Sequence, residues 1–366
     1  MSPQVIHRSS DLLPLADEWR DLAKRVDESS FFSSPDWCIA WWDACAPSSE
    51  GEIAIWRSER GELLGVAGLV RGDERLHPRL RLRADAWVNL GSGMGGADHC
   101  SWPVLAEAAP GVRSWLVQRA GSKSIVLRNL DRALSGALIP PGARIIGTTV
   151  CPRVSMPEIG QELAAASPRL RKHLRQYSRR LQDRGVAFRW VGPEAVHPRL
   201  LDLLFDLHRK RRTMKGEPSS FGPHVKPLHE RLISFAGPGH GPAFVLAEVG
   251  SSVVGMLYGF VWRDSFAYFQ TGWDPAWSNE SLGTALVGEA LRFSAQAGAK
   301  VFDFLRGADD YKYRFGAVDR VDESFLVPRG LHGRALRLKY QLKGRRNSPA
   351  RPVSSPAPRP RSASSR

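Results

Sequence analysis

The stretch from Tyr268 to Gly316, YFQTGWDPAWSNESLGTALVGEALRFSAQAGAKVFDFLRGADDYKYRFG, constrains the fold more than any other part of the chain. Residues 265–273 mix aromatic and small side chains as a strand does, and Asp274-Pro275 closes it. A helix is expected to open near Ser278 or Asn279, both good caps, with Leu282, Leu286, Ala290, Phe293 and Ala297 as its apolar stripe. Gly298 stops it, and residues 301–305 are short and apolar enough for a buried strand. Strand, helix and strand form a βαβ-like unit whose helix N-terminus offers free N–H groups to an anion.

Asp303 interrupts that apolar strand, with Val301 and Leu305 on its own face. A carboxylate there must be paired or pushed toward neutrality. Arg306 and Lys312 are the near basic residues, which leaves two readings open. One is a buried ion pair fixing the 306–312 turn. The other makes Asp303 a general base and Lys312 the group that meets an acceptor phosphate or developing charge. Tyr311 and Tyr268 are either packing or the hydroxyls that protonate a leaving thiolate.

Upstream, residues 10–28 carry an amphipathic helical pattern, and Ser33 or Ser34 with Pro35 opens a second helix through Trp37 and Trp41. Hairpin-like strands follow at 52–58 and 63–71. Residues 85–97 read as irregular, with Gly91, Gly93, Gly95 and Gly96 in a loop that is either a surface turn or a close approach to phosphate. His99 follows as a candidate substrate contact. A helix at 112–120 and strands at 124–130 and 145–150 complete a first unit.

Ser167-Pro168 then caps a helix with Leu170, Leu174, Tyr177 and Leu181 on one side. Its other side holds Arg169, Arg171, Lys172, Arg175 and Arg179, a solvated face or an anion site using Arg171 and Arg175. A strand at 186–191, helices at 197–216 and 227–236, and strands from 244 and 253 lead into the opening segment. His224 and His229 lack metal-ligand spacing, so no metal is expected. The four cysteines form no CxxC pair, and buried reduced thiols are the expectation. The net charge is +15, and residues 343–366 hold seven Lys or Arg and no acid, a Ser/Pro/Arg-rich stretch expected to be disordered. A basic chain could bind nucleic acid, but no RRM, HTH or zinc signature is present. The absence of a signal-peptide pattern and of a ~20-residue apolar run leads to the expectation of a soluble cytoplasmic protein.

FDFLRGADDYKYRFGA resembles the end of the acetyltransferase-like domain in the CelD/BcsL (BioF2-like) branch of the GNAT superfamily, with the Fem peptidoglycan aminoacyltransferases as more distant relatives. The matching residues are Asp303, Gly307, Tyr311-Lys312 and Phe315-Gly316; SSFFSSPDWCIAWWDAC resembles the family's amino-terminal entry. The usual Arg/Gln-x-x-Gly-x-Gly/Ala loop is replaced by Ser281-Leu282-Gly283-Thr284. The resemblance implies a mixed α/β tandem of two GNAT-like domains, 1–157 and 158–342, followed by the basic tail. It implies an acyltransferase using acyl-CoA, most simply acetyl-CoA. Gln270 and Thr271 would lie by the thioester, and Ser281–Thr284 would hold the pyrophosphate unless Gly283 serves only close packing. The acceptor would be an anionic or sugar-containing amine or alcohol of the cell envelope, contacted by Arg306, Arg171, Arg175 and His99. Open alternatives are an aminoacyl-tRNA-dependent Fem-like transferase and a non-catalytic nucleic-acid-binding or scaffold protein.

Overall fold

The computed structural model describes residues 2–76, 81–156, 158–218 and 221–347. In chain order the elements are β1 (Gln4–Ile6), α1 (Ala16–Arg25), α2 (Pro35–Cys45), β2 (Gly51–Arg57), β3 (Leu63–Arg75), β4 (Arg83–Asn89), α3 (Ala109–Ala120), β5 (Ser124–Asp131), α4 (Arg132–Ser135) and β6 (Arg144–Ser155). The second half adds α5 (Pro168–Asp183), β7 (Val186–Val191), α6 (Arg199–Lys215), α7 (Lys226–Ser234), β8 (His240–Val249), β9 (Ser252–Trp262), β10 (Ser265–Trp273), α8 (Leu282–Gln296), β11 (Val301–Asp303), α9 (Asp310–Arg314), β12 (Val318–Val327) and α10 (Gly330–Asn347).

The twelve strands among the described residues join one mixed sheet in the order β1-β2-β3-β4-β5-β12-β6-β11-β10-β9-β8-β7. Both halves repeat one design. Antiparallel strands lead to a parallel pair, β4 with β5 around α3 and β10 with β11 around α8. The halves then exchange strands: β12 lies between β5 and β6, and β6 pairs with β11. A sheet edge that would otherwise expose unpaired N–H and C=O groups is thereby sealed by the other half.

Local chemistry explains most elements. Ser34 Oγ accepts from Trp37 N at 3.2 Å, and Pro35 takes the first turn of α2. Ser167 Oγ does the same for Leu170 N at 3.2 Å, opening α5 as expected. Leu170, Leu174 and Leu181 of α5 pack with Leu286, Ala290 and Phe302 on one sheet face. The opposite face buries α2, α6 and α7 around Trp37, Leu204, Leu228 and Phe260.

Several boundaries differ from the sequence expectation. The first helix is shorter, because Pro14 confines residues 9–15 to a 3₁₀ turn before α1. Asp274 and Pro275 build another 3₁₀ turn over Pro275–Glu280, so α8 opens at Leu282 rather than near Ser278. β11 ends at Asp303, because Leu305 takes a left-handed φ of 55° that a strand cannot continue through. Residues 83–89 form β4 where the glycine-rich stretch read as irregular. β12 and α10 have no counterpart in the sequence reading. Residues 343–347 belong to α10 rather than to a disordered tail, and the rest of that tail lies outside the described residues.

Candidate active site

β10 and β11 run in register only from Ser265↔Val301 to Ala267↔Asp303. Beyond that point they part. β10 continues along β9, with a register shift between Tyr268 and Gln270 that leaves Phe269 as the extra residue. The other chain turns away, and Phe304 N donates instead to Pro152 O at 2.9 Å. The opening is a cleft of ≈ 410 Å³ walled by Tyr268, Phe269, Gln270, Phe304, Leu305 and Arg306, with Gly93–Gly96 and Asp98 facing them.

Lys312 builds one wall from behind. It is 2 % exposed, and Nζ donates to the carbonyl oxygens of Phe304 at 3.2 Å, Leu305 at 3.0 Å and Arg306 at 2.7 Å. An ammonium has three N–H donors, so none is left for an acceptor phosphate. Burial pushes its pKa down. Lys312 is a positioning residue for the 304–306 turn, which corrects the expectation that it meets substrate.

Asp303 does not pair with Lys312 or Arg306. Its Oδ2 lies 3.1 Å from His99 Nε2 and 3.8 Å from Arg320 Nη1, while Oδ1 accepts from Leu305 N at 2.7 Å. The other ring nitrogen of His99, Nδ1, lies 2.7 Å from Asp322 Oδ1, and His99 N donates to Asp322 Oδ2 at 2.7 Å. Burial by itself would lower the His99 pKa, but the Asp303 and Asp322 carboxylates outweigh it and hold it well above its ordinary value. The ring is therefore imidazolium and donates from both nitrogens. For Asp303 burial acts upward, and the charges of His99 and Arg320 reverse it, giving a net lowered pKa. His99 is thus enclosed by carboxylates with both ring nitrogens taken, and it does not line the cleft between β10 and β11. The network joins β11 to β12 through the loop after β4 and lines a second cavity of ≈ 400 Å³ with Arg153 and Arg320. His99, Cys151 and Asp322 are close enough together to hold an ion, but the direct His99–Asp322 hydrogen bond already uses Nδ1. Burial keeps the Cys151 thiol protonated, pushing it up to about 12.

The structure does bring Arg306 to the cleft. Its N donates to Asp98 Oδ2 at 2.9 Å and Nη2 to Ala97 O at 2.5 Å; Nη2 also lies 2.7 Å from Asp98 Oδ1, a charge contact without hydrogen-bond alignment. Burial raises the Asp98 pKa more than Arg306 lowers it. Asp98 is therefore a carboxylate of weakened acidity in the cleft wall.

Gln270 also lines the cleft, but its Oε1 accepts from Thr271 N at 3.0 Å, and Thr271 Oγ1 donates to Met256 O at 2.8 Å. Thr271 is thereby occupied in tying β10 to β9. Burial pushes the Tyr268 hydroxyl up to about 12 and raises that of Tyr311, and the two hydroxyls influence one another. Arg211 of α6 adjoins both tyrosines and stacks its guanidinium 4.2 Å from the Trp273 ring centroid. Among the described residues its buried Nε has no hydrogen-bond partner, and burial lowers its pKa. In the sequence Arg211 is one of a basic run, Arg209-Lys210-Arg211-Arg212, and nothing in that run by itself singles it out. Yet it stands seven residues after Leu204 and four after Leu207, on the buried stripe of α6.

The same Trp273 ring covers Gly283, where a Cβ would lie 2.9 Å from it. Gly283 therefore serves close packing at the start of α8. Ser281, at φ 58°, and Leu282 and Thr284 complete a first turn whose leading N–H groups lie outside the helix ladder. Arg171 and Arg175 are elsewhere, in a ≈ 660 Å³ groove between α5 and α8. Arg171 Nη1 is spent on the carbonyls of Ala164 and Ala166, both at 2.9 Å.

Residues 168–313 match the family of acetyltransferase (GNAT) domains. Among solved structures, FemX superposes with a TM-score of 0.63 at 10% identity, covering 92% of this chain and 100% of that one. The C-terminal domain (DUF2156) of a putative lysylphosphatidylglycerol synthetase from Agrobacterium fabrum gives 0.54 at 13% identity, covering 88% of this chain and 94% of that one. L-PGS from Bacillus licheniformis gives 0.50 at 12% identity, covering 78% and 88%. No curated protein sequence matches. The architecture is a mixed α/β fold of two similarly built, GNAT-like halves, and residues 168–313 in the second are those that match the GNAT domain model. No helix among the described residues is long and apolar enough to cross a membrane.

Proposed function

We propose that the cleft between β10 and β11 transfers an acyl group from acyl-CoA, most simply acetyl-CoA, to an amine or hydroxyl. The observation that carries this is the parting of the two strands at a bulge within the GNAT-matched segment. Residues 1–157 would shape the acceptor side and residues 158–342 the donor side. The N–H groups of Ser281, Leu282 and Gly283 would receive the pyrophosphate, Thr284 N being bonded to Ser281 O at 3.0 Å, and Arg211 would supply a cation nearby.

In the reaction the acceptor's N–H or O–H gives its proton to Asp98 as its lone pair attacks the thioester carbon. The C–S bond then breaks, and the departing thiolate takes a proton from Tyr268, whose raised pKa keeps it protonated at neutral pH. The resemblance to CelD/BcsL proteins favours a cell-envelope sugar or polysaccharide precursor as acceptor, with Arg306 at its anionic part. An aminoacyl-tRNA donor is the second reading, supported by the FemX-like fold and by the Arg175–Arg179–Arg292 groove.

A thermal-shift screen with CoA, acetyl-CoA, longer acyl-CoAs and aminoacyl donors tests this. A donor at 100-fold its Kd stabilises the fold by about 2.7 kcal/mol. Asp98→Asn should lower turnover about 10²–10⁴-fold and remove the acid limb of the pH–rate profile. A screen in which no thioester raises the melting temperature would overturn the acyl-CoA reading.

A further inference from the structure

α10, GLHGRALRLKYQLKGRRN, contains no Asp or Glu. Its inner side is fixed to the sheet. Leu336 is fully buried, and Lys339 Nζ and the Tyr340 hydroxyl both donate to Glu74 Oε2 at 3.0 Å. Its outer side sets large exposed apolar residues beside cations. Leu331, Leu338 and Leu342 are 78%, 57% and 51% exposed. A spacing of seven and then four residues sets them on one stripe, and exposed Arg334 and Arg337 accompany it. On β6, against which α10 packs, Ile145 is 58% exposed beside exposed Arg144. From Lys343 to Arg366 the sequence continues with seven Lys or Arg and no acid.

We propose that this outer face of α10 docks the protein on an anionic lipid bilayer, with the leucines at the acyl boundary and the arginines among the headgroup phosphates. Three leucines standing in water are a cost that the interface of a bilayer relieves, and the cations beside them are matched by anionic lipid. A second copy of the chain fits less well, because two such faces would set arginine against arginine with no acid to separate them. Nucleic acid would satisfy the cations and leave the leucines in water. The surface is separate from the acyl-transfer cleft, so the proposal stands or falls without it.

The test is flotation of the full chain with phosphatidylcholine vesicles, with and without about 30% phosphatidylglycerol. The wild type should float with the anionic vesicles at low salt, and not with the neutral ones. Replacing all three leucines by serine should weaken partitioning at least about tenfold. Arg334→Glu with Arg337→Glu should weaken it about fivefold per site. The leucines are exposed, so the serine variant should melt like the wild type. Wild type that stays with the soluble fraction would overturn the proposal, as would a serine variant that floats equally well. A leucine-dependent dimer in light scattering, or an RNA duplex bound more tightly than the vesicles, would reassign the surface.

Discussion

Asp303→Asn separates architecture from chemistry at the residue the sequence made most conspicuous. The substitution nearly preserves volume and removes one negative charge from between His99 and Arg320. Breaking a buried pair by removing one partner costs about 3–5 kcal/mol when the survivor is left alone. Here neither survivor is alone: His99 keeps Asp322 at 2.7 Å, and Arg320 Nε keeps Asp131 at 2.6 Å. The expected loss is therefore at the lower end, about 3 kcal/mol, read by urea denaturation at pH 7. The pH dependence has a definite sign. The raised pKa of His99 contributes stability that is fully present below its ordinary 6.5 and is lost as pH rises through the folded value. The lowered pKa of Asp303 contributes stability present above its ordinary 3.8 and lost as pH falls through the folded value. The wild-type network is thus strongest between those two ordinary values. The Asn variant should lose the acid limb due to Asp303 and show a smaller decline on the basic side. A variant with wild-type stability and turnover lowered a hundredfold or more would refute this and make Asp303 a catalytic base.

Lys312→Met should destabilise the 304–306 turn, leaving three carbonyls without their donor at about 1–3 kcal/mol for the first. It should also impair donor and acceptor kinetics together; a change confined to the acceptor's KM would return Lys312 to the substrate side. Arg211→Met, which removes the charge and keeps a stem against Trp273, should weaken acyl-CoA binding severalfold in calorimetry with an unchanged melting temperature. Unaltered affinity would separate Arg211 from the donor site.

The sequence by itself determined what local periodicity and capping can specify. Ser167-Pro168 opens α5, Ser34-Pro35 opens α2, and the alternation and apolar stripe around Tyr268–Leu305 give β10, α8 and β11. Gly316 of the recognised turn is required because a Cβ there would run into the Ala165 carbonyl. That Asp303 needed a partner was legible as well, since a carboxylate in an apolar strand cannot stay unpaired. Which partner was not legible. Nearest basic neighbours in sequence were the natural choice, yet His99 lies 204 positions away and Asp322 a further 19 beyond Asp303. Only the exchange of β6 and β12 between the halves brings these groups together, and strand exchange leaves no periodic trace in either segment. Lys312 and Arg306 follow from the same fact. The reversal at Leu305 turns three carbonyls toward Lys312 and carries Arg306 to Asp98, so backbone direction, not sequence distance, chose each ion's counterpart.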